Sequence, residues 1–144
     1  MPDQEHTRTR DPDRLRVVAA IIVSAGEVLA CRRNPERSAG GLWEFPGGKI
    51  ELGESPQSAL RREIHEELNT AIEVGDQVTI DVTIVEGRAI ELTCFRAYLL
   101  STRPSRSTDH DQLIWISPSE LERLTWAAPD IPAVRVLVAE ARES

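Results

Sequence analysis

Cysteine is scarce in this 144-residue chain, and its two copies, Cys31 and Cys94, lie far apart inside apolar, strand-like segments. That excludes a disulfide framework and reads as two reduced core thiols of a cytosolic protein. Long hydrophobic runs are missing as well. No stretch approaches the roughly 18 apolar residues of a membrane span, and the first residues are too polar for a signal peptide. Positive charge is short: 17 Lys and Arg stand against 24 Asp and Glu, a formal net charge of −7. Such a chain has little with which to replace the counterions of a phosphate backbone, so no nucleic-acid polymer is expected as partner. A small anionic substrate stays open, provided metal ions supply positive charge locally. Repeats, low-complexity tracts and a second domain are absent too. The length therefore predicts one domain over residues 14–144, burying about two thirds of its surface, behind a disordered tail over residues 1–13. A monomer and a homodimer fit equally.

What is there gathers between Gly47 and Glu67. Ser55 is a fit N-cap, Pro56 suits the first helical position, and Asn69 suits a left-handed stop, predicting a helix over Pro56–Leu68. At roughly 100° per residue, Leu60, Ile64 and Leu68 make an apolar stripe. Glu63, Glu66 and Glu67 gather on a neighbouring face with Ala59 among them, a small residue expected to leave room for a ligand's approach. A glutamate run is commonly a solvated face. Here, however, Glu63 and Glu67 are like charges one turn apart, Thr70 and Ala71 bring no relief, and Arg62 neutralises only part. Clustered oxygens are what a hard divalent cation binds, usually with substrate phosphate completing the shell. Gly47 and Gly48 before the helix suit either an ordinary turn or a close approach of main chain to ligand.

Gly48, then five residues to Glu54, then seven to Arg62-Glu63-Ile64-His65-Glu66-Glu67, resembles the signature of the Nudix hydrolases. The pattern departs at its end, where Asn69 and Thr70 replace a glycine and an aliphatic residue. The likeness covers about residues 15–140 and implies an α/β fold, the Nudix α/β/α sandwich with a mixed sheet between helices. Pattern alone gives a mixed sheet between helices. The resemblance further implies that Glu63, Glu66, Glu67 and the Gly47 carbonyl hold two or more Mg²⁺ ions, or Mn²⁺, against a triphosphate. It implies that Arg62 pairs with a catalytic carboxylate, and that Gly48 and Lys49 lie beside the substrate. The implied reaction is hydrolysis of a nucleoside triphosphate to monophosphate and pyrophosphate in nucleotide-pool sanitation.

Along the rest of the chain, Leu15–Val23 reads as a strand buried on both faces and Glu27–Arg33 as its return after an Ala25-Gly26 turn. Of the two arginines ending that strand, Arg33 sits where MutT-type Nudix enzymes keep a phosphate-contacting arginine. A loop over Asn34–Gly41 leads to a short strand, Leu42–Phe45, in which Glu44 can bond a ribose hydroxyl or face water. Phe45 can contact the base or pack in the core. A hairpin over Val78–Val85 and Ala89–Leu100 is expected, its second strand buried on one face only. Asp109 is a loop residue before a last strand. By resemblance to MutT-type enzymes it is also an extra acid, six residues before Trp115, that binds metal or helps deprotonate water. Ser117-Pro118-Ser119-Glu120 predicts a capped helix, and a final helix packs through Val134, Val136, Leu137 and Ala141. Asp130 can be its N-terminal cap, or can accept the exocyclic amine of cytosine. Its surroundings resemble the CTP pyrophosphohydrolase branch, whereas the 8-oxoguanine branch more often has Asn there. Cytidine-type triphosphates, 8-oxo-dGTP and a non-catalytic nucleotide-binding regulator are the readings to separate.

Overall fold

The computed structural model describes residues 14–37 and 39–143, so the expected tail over residues 1–13 lies outside it. Seven strands form one sheet: β1 (Arg14–Ser24), β2 (Glu27–Arg33), β3 (Trp43–Glu44), β4 (Gly47–Lys49), β5 (Ile72–Val85), β6 (Arg88–Leu99) and β7 (His110–Ile116). The path runs β3-β2-β1-β6-β5, with β4 joined to β1 and β7 to β2. Only β1 and β6 run parallel; the other pairs are antiparallel.

The apolar run in β1 explains the layering. Val18, Ala20 and Ile22 point to one face, where Ala59, Leu60, Ile64 and Leu68 of helix α1 (Pro56–Leu68) cover them. Ala19 and Ile21 point to the other, beneath Ala133, Val134, Leu137 and Val138 of helix α2 (Ile131–Glu143). A strand with helices on both sides has no polar face, and period-2 alternation disappears. The same holds for β6, against expectation. Leu92 and Cys94 enter one core while Phe95 and Ala97 enter the other. Its partner β5 starts at Ile72 rather than Val78, and the hairpin turns on Glu86-Gly87 alone.

Helix α1 is capped as the residues dictate. The Ser55 hydroxyl accepts the Ser58 N–H at 3.1 Å, and Asn69 stops the helix at φ 51°, ψ 43°, donating to the His65 carbonyl. The Ser117 segment differs: Pro118–Arg123 is a 3₁₀ turn in which the Ser117 hydroxyl meets the Ser119 hydroxyl and caps no backbone N–H. In α2 the buried residues are Ala133, Val134, Leu137 and Val138, while Val136 and Ala141 are half-buried. No helix among the described residues is long and apolar enough to cross a membrane.

Candidate active site

Strand β4 and the loop after it lie against α1 and bring the signature residues together. An added Cβ on Gly48 would stand 2.2 Å from the carboxyl carbon of Glu63, so strand backbone and helix carboxylate touch. Neither Gly47 nor Gly48 has a positive φ. They form a strand, not a turn, and glycine is needed there for space rather than for conformational freedom. Ala59 is fully buried in the α1 core and leaves no approach route, contrary to expectation.

Arg62 ties this region to itself. Its Nε and Nη2 donate to the two Glu54 oxygens at 2.7 and 2.9 Å, and Nη2 also to the Lys49 carbonyl at 3.0 Å. The remaining Nη1 reaches Glu63 and Glu66 only at 3.3 Å. The bidentate guanidinium holds the Glu54 carboxyl down at about 2. So Arg62 does meet catalytic candidates, but its short bonds go to Glu54, a fixed position of the signature to which sequence reasoning gave no role.

Glu67 is the unusual group. It is 4% exposed, and its Oε1 is buried without a hydrogen-bond partner. Burial pushes its carboxyl up to about 9, with Asp109, Glu44 and Glu63 adding repulsion. Burial also raises Glu63, against the opposing pull of Arg62. An orphaned buried carboxylate oxygen among other acids is the donor chemistry a hard cation completes. Among the described residues, however, no three such groups already converge on one point. The donor set fits a divalent cation in kind, and the side chains must close on it.

The raised Glu67 has a measurable consequence. Between its ordinary 4.5 and about 9, the folded state holds a proton that the unfolded state has released. Stability of the metal-free protein is therefore expected to fall as pH rises through this window. Thermal melts in a chelator, repeated with excess magnesium, check this: the slope should flatten when the metal is present. A metal-free melting temperature that climbs from pH 5 to 9 contradicts the assignment.

The second wall comes from β2, β3 and β7. Arg33 does not project freely; its Nη1 donates to Glu44 Oε1 at 2.9 Å. Glu44 does not face water, since its other oxygen meets His110 Nε2 at 2.8 Å. Arg32 instead grips Asp111, at 2.8 and 3.2 Å. Asp109 meets Arg37 at 2.9 Å, joining the 34–41 loop to the segment before β7. Lys49 is exposed at the end of β4. Phe45 is 2% exposed and stacks on Trp126 at 4.8 Å, so it is a core residue here. Asp130 caps no helix; its Oδ2 accepts the Phe45 N–H at 2.9 Å. It is 5% exposed, and burial, then the charge of Glu44, raises its carboxyl well above the usual range. Arg37, Ser107 and His110 had no assigned role from sequence. Nothing in their local pattern marks them, because Arg37 and His110 act through partners distant in the chain and Ser107 joins them only through His110.

Comparison with known proteins agrees with this geometry. The NUDIX domain family matches residues 13–137. The chain is 37% identical over 125 residues to the CTP pyrophosphohydrolase of Escherichia coli K12, covering 87% of this chain and 92% of that protein. It is 39% identical over 56 residues to the 8-oxo-dGTP diphosphatase of the same strain, 38% of this chain and 43% of that one. The solution structure of the E. coli ORF135 protein superposes with a TM-score of 0.75 at 36% identity, covering 88% of this chain and 89% of that one. With its signature glutamates on α1 and its α/β/α layers, the chain belongs to the Nudix hydrolases.

Proposed function

We propose that the protein is a magnesium-dependent (deoxy)nucleoside triphosphate pyrophosphohydrolase of the nucleotide pool, acting on cytidine-type or modified cytidine triphosphates. The observation that carries the reading is the buried, unpartnered Glu67 oxygen, set among Glu63, Asp109 and Glu44. In this reading Glu63, Glu66 and Glu67, with the Gly47 carbonyl, hold the cation. When bound, the metal acidifies the attacking water and offsets charge on the departing pyrophosphate. In this reading Arg62 fixes Glu63 and Glu66 from the side, and Asp109 takes a proton from water. Arg33, on the same reading, meets a phosphate while Glu44 holds its Nη1, and Gly48 and Lys49 line the approach. Water adds across the anhydride between the first and second phosphates, giving nucleoside monophosphate and pyrophosphate.

Base choice rests on Asp130. Its carboxyl is buried beside the Arg33–Glu44 pair and anchored by the Phe45 N–H. With Oδ2 held by the Phe45 N–H, the other carboxylate oxygen is an acceptor suited to the exocyclic amine of cytosine, where an asparagine would present its NH2 donor. The 37% relative named for CTP supports this choice. The runner-up substrate is 8-oxo-dGTP, supported by a Mycobacterium tuberculosis relative named as a putative 8-oxo-dGTP diphosphatase, also 37% identical over 117 residues, and by the shorter match to the E. coli enzyme. A non-catalytic nucleotide binder would have no need of all three signature glutamates, and this chain keeps them.

Pyrophosphate release from CTP, dCTP, 5-methyl-dCTP, dGTP and 8-oxo-dGTP with magnesium separates these readings. Cytidine-type substrates should lead by about tenfold or more in kcat/KM, and Asp130→Asn should erase that lead. A preference for 8-oxo-dGTP, or unchanged selectivity in Asp130→Asn, removes the cytidine argument. No turnover on any member leaves the binder.

A further inference from the structure

We propose that His110 is a positioning residue of this site, setting Glu44 and, through it, Arg33 in register with the segment that carries Asp109. The inference rests on the pyrophosphohydrolase reading for its kinetic test, though not for its geometry.

The imidazole is buried, with its side chain 1% exposed, and both ring nitrogens are engaged. A carboxylate only accepts, so Nε2 carries a ring proton and donates it to Glu44 Oε2 at 2.8 Å. Ser107 Oγ accepts the Asp109 N–H at 3.2 Å and lies 2.6 Å from His110 Nδ1, which takes its hydroxyl hydrogen when the ring is neutral. The other Glu44 oxygen accepts Arg33 Nη1 at 2.9 Å. One unbroken line of hydrogen bonds thus runs from the Asp109 backbone to the Arg33 guanidinium, through residues of β7, β3 and β2. No two of its side chains would be linked by sequence proximity except Ser107 and His110.

The backbone is built to allow this. Pairing of β2 with β7 steps from Arg32 opposite Gln112 to Arg33 opposite His110, leaving Asp111 as an extra residue. A bulge of this kind re-aims side chains, and bulges recur beside active sites. Here it sends Asp111 out to Arg32 and brings His110 in to Glu44.

A buried histidine is often only a satisfied core residue, so the test must separate placement of Arg33 from stability. His110→Gln keeps an N–H within reach of Glu44, whereas His110→Asn reaches Ser107 and loses Glu44. His110→Asn should raise KM for the nucleoside triphosphate about tenfold with kcat within about threefold, and His110→Gln should recover most of that loss. Combining His110→Asn with Glu44→Gln should add little to the worse single change. Equal damage in Asn and Gln, an additive double, or a fall in thermal stability with KM unmoved assigns His110 to packing and overturns the proposal.

Nitrogen NMR on the nucleotide-free protein decides the matter without turnover. It should find the proton on Nε2 of His110 and slow exchange of the Arg33 guanidinium protons, faster in His110→Asn but not in His110→Gln. A proton on Nδ1 alone, or Arg33 exchange unmoved by His110→Asn, overturns the positioning role. Absence of pyrophosphate release by the wild type would instead overturn only the enzymatic reading.

Discussion

Glu67→Gln is expected to lower kcat/KM by at least about 10³-fold while raising the metal-free melting temperature by about 2–4 °C. The two effects share one cause. In the folded protein this carboxylate is 4% exposed, its Oε1 has no partner, and Asp109, Glu44 and Glu63 repel its charge. Without metal, folding at neutral pH must put a proton on this carboxyl, a cost the amide escapes, so the resting fold gains stability. The amide also removes a hard anionic ligand, so transition-state charge on the phosphates goes uncompensated. Activity and stability pull apart at such a position because the strain is part of the function. Melting curves with and without magnesium complete the test: the wild type should be stabilised by the metal, and Glu67→Gln should respond much less. A Gln variant that is less stable than the wild type without metal, and still active, would sink the assignment.

Gly47→Ala and Gly48→Ala should differ in kind, although the residues are adjacent and chemically identical. A Cβ on Gly47 would fall 1.9 Å from the Val18 carbonyl oxygen and 2.7 Å from the Ala19 Cα. Both are backbone atoms of β1, the strand at the centre of the sheet, and they cannot yield without breaking the β1–β4 pairing. The expected result is a melting temperature lower by about 10 °C or more, with activity lost alongside the fold. The atoms nearest a Cβ on Gly48 are all at the end of the Glu63 side chain, at 2.2 to 2.5 Å. That side chain can swing aside. Gly48→Ala should therefore melt within a few degrees of the wild type, yet lose about 10²-fold in turnover from a displaced carboxylate. Equal loss of stability in both variants would show that Gly48 is as structural as Gly47.

These two glycines also mark where local reasoning stops. The signature shows that glycine is required, and backbone freedom is the ordinary reason. The actual reason is a collision with Val18 and Glu63, which are 29 residues before Gly47 and 15 residues after Gly48 respectively. The same limit explains β6: alternating polar and apolar residues suggest one wet face, but placement between β1 and β5 buries Thr93 along with Leu92 and Cys94. It explains Asp130 as well, which looks like a cap and is instead the acceptor for a backbone N–H 85 positions away.

The sequence by itself determined whatever depends on neighbours along the chain. The helix over Pro56–Leu68 with its Ser55 and Asn69 ends, the doubly apolar β1, and three glutamates within two turns all follow from capping, periodicity and like-charge repulsion. Only the tertiary structure decided which groups those glutamates meet. It alone gave Arg62 to Glu54, Arg33 to Glu44, Asp109 to Arg37, and left one Glu67 oxygen unanswered. The physical reason is that side-chain partners and desolvation are set by packing between strands distant in sequence, and no local pattern encodes what will be folded against it.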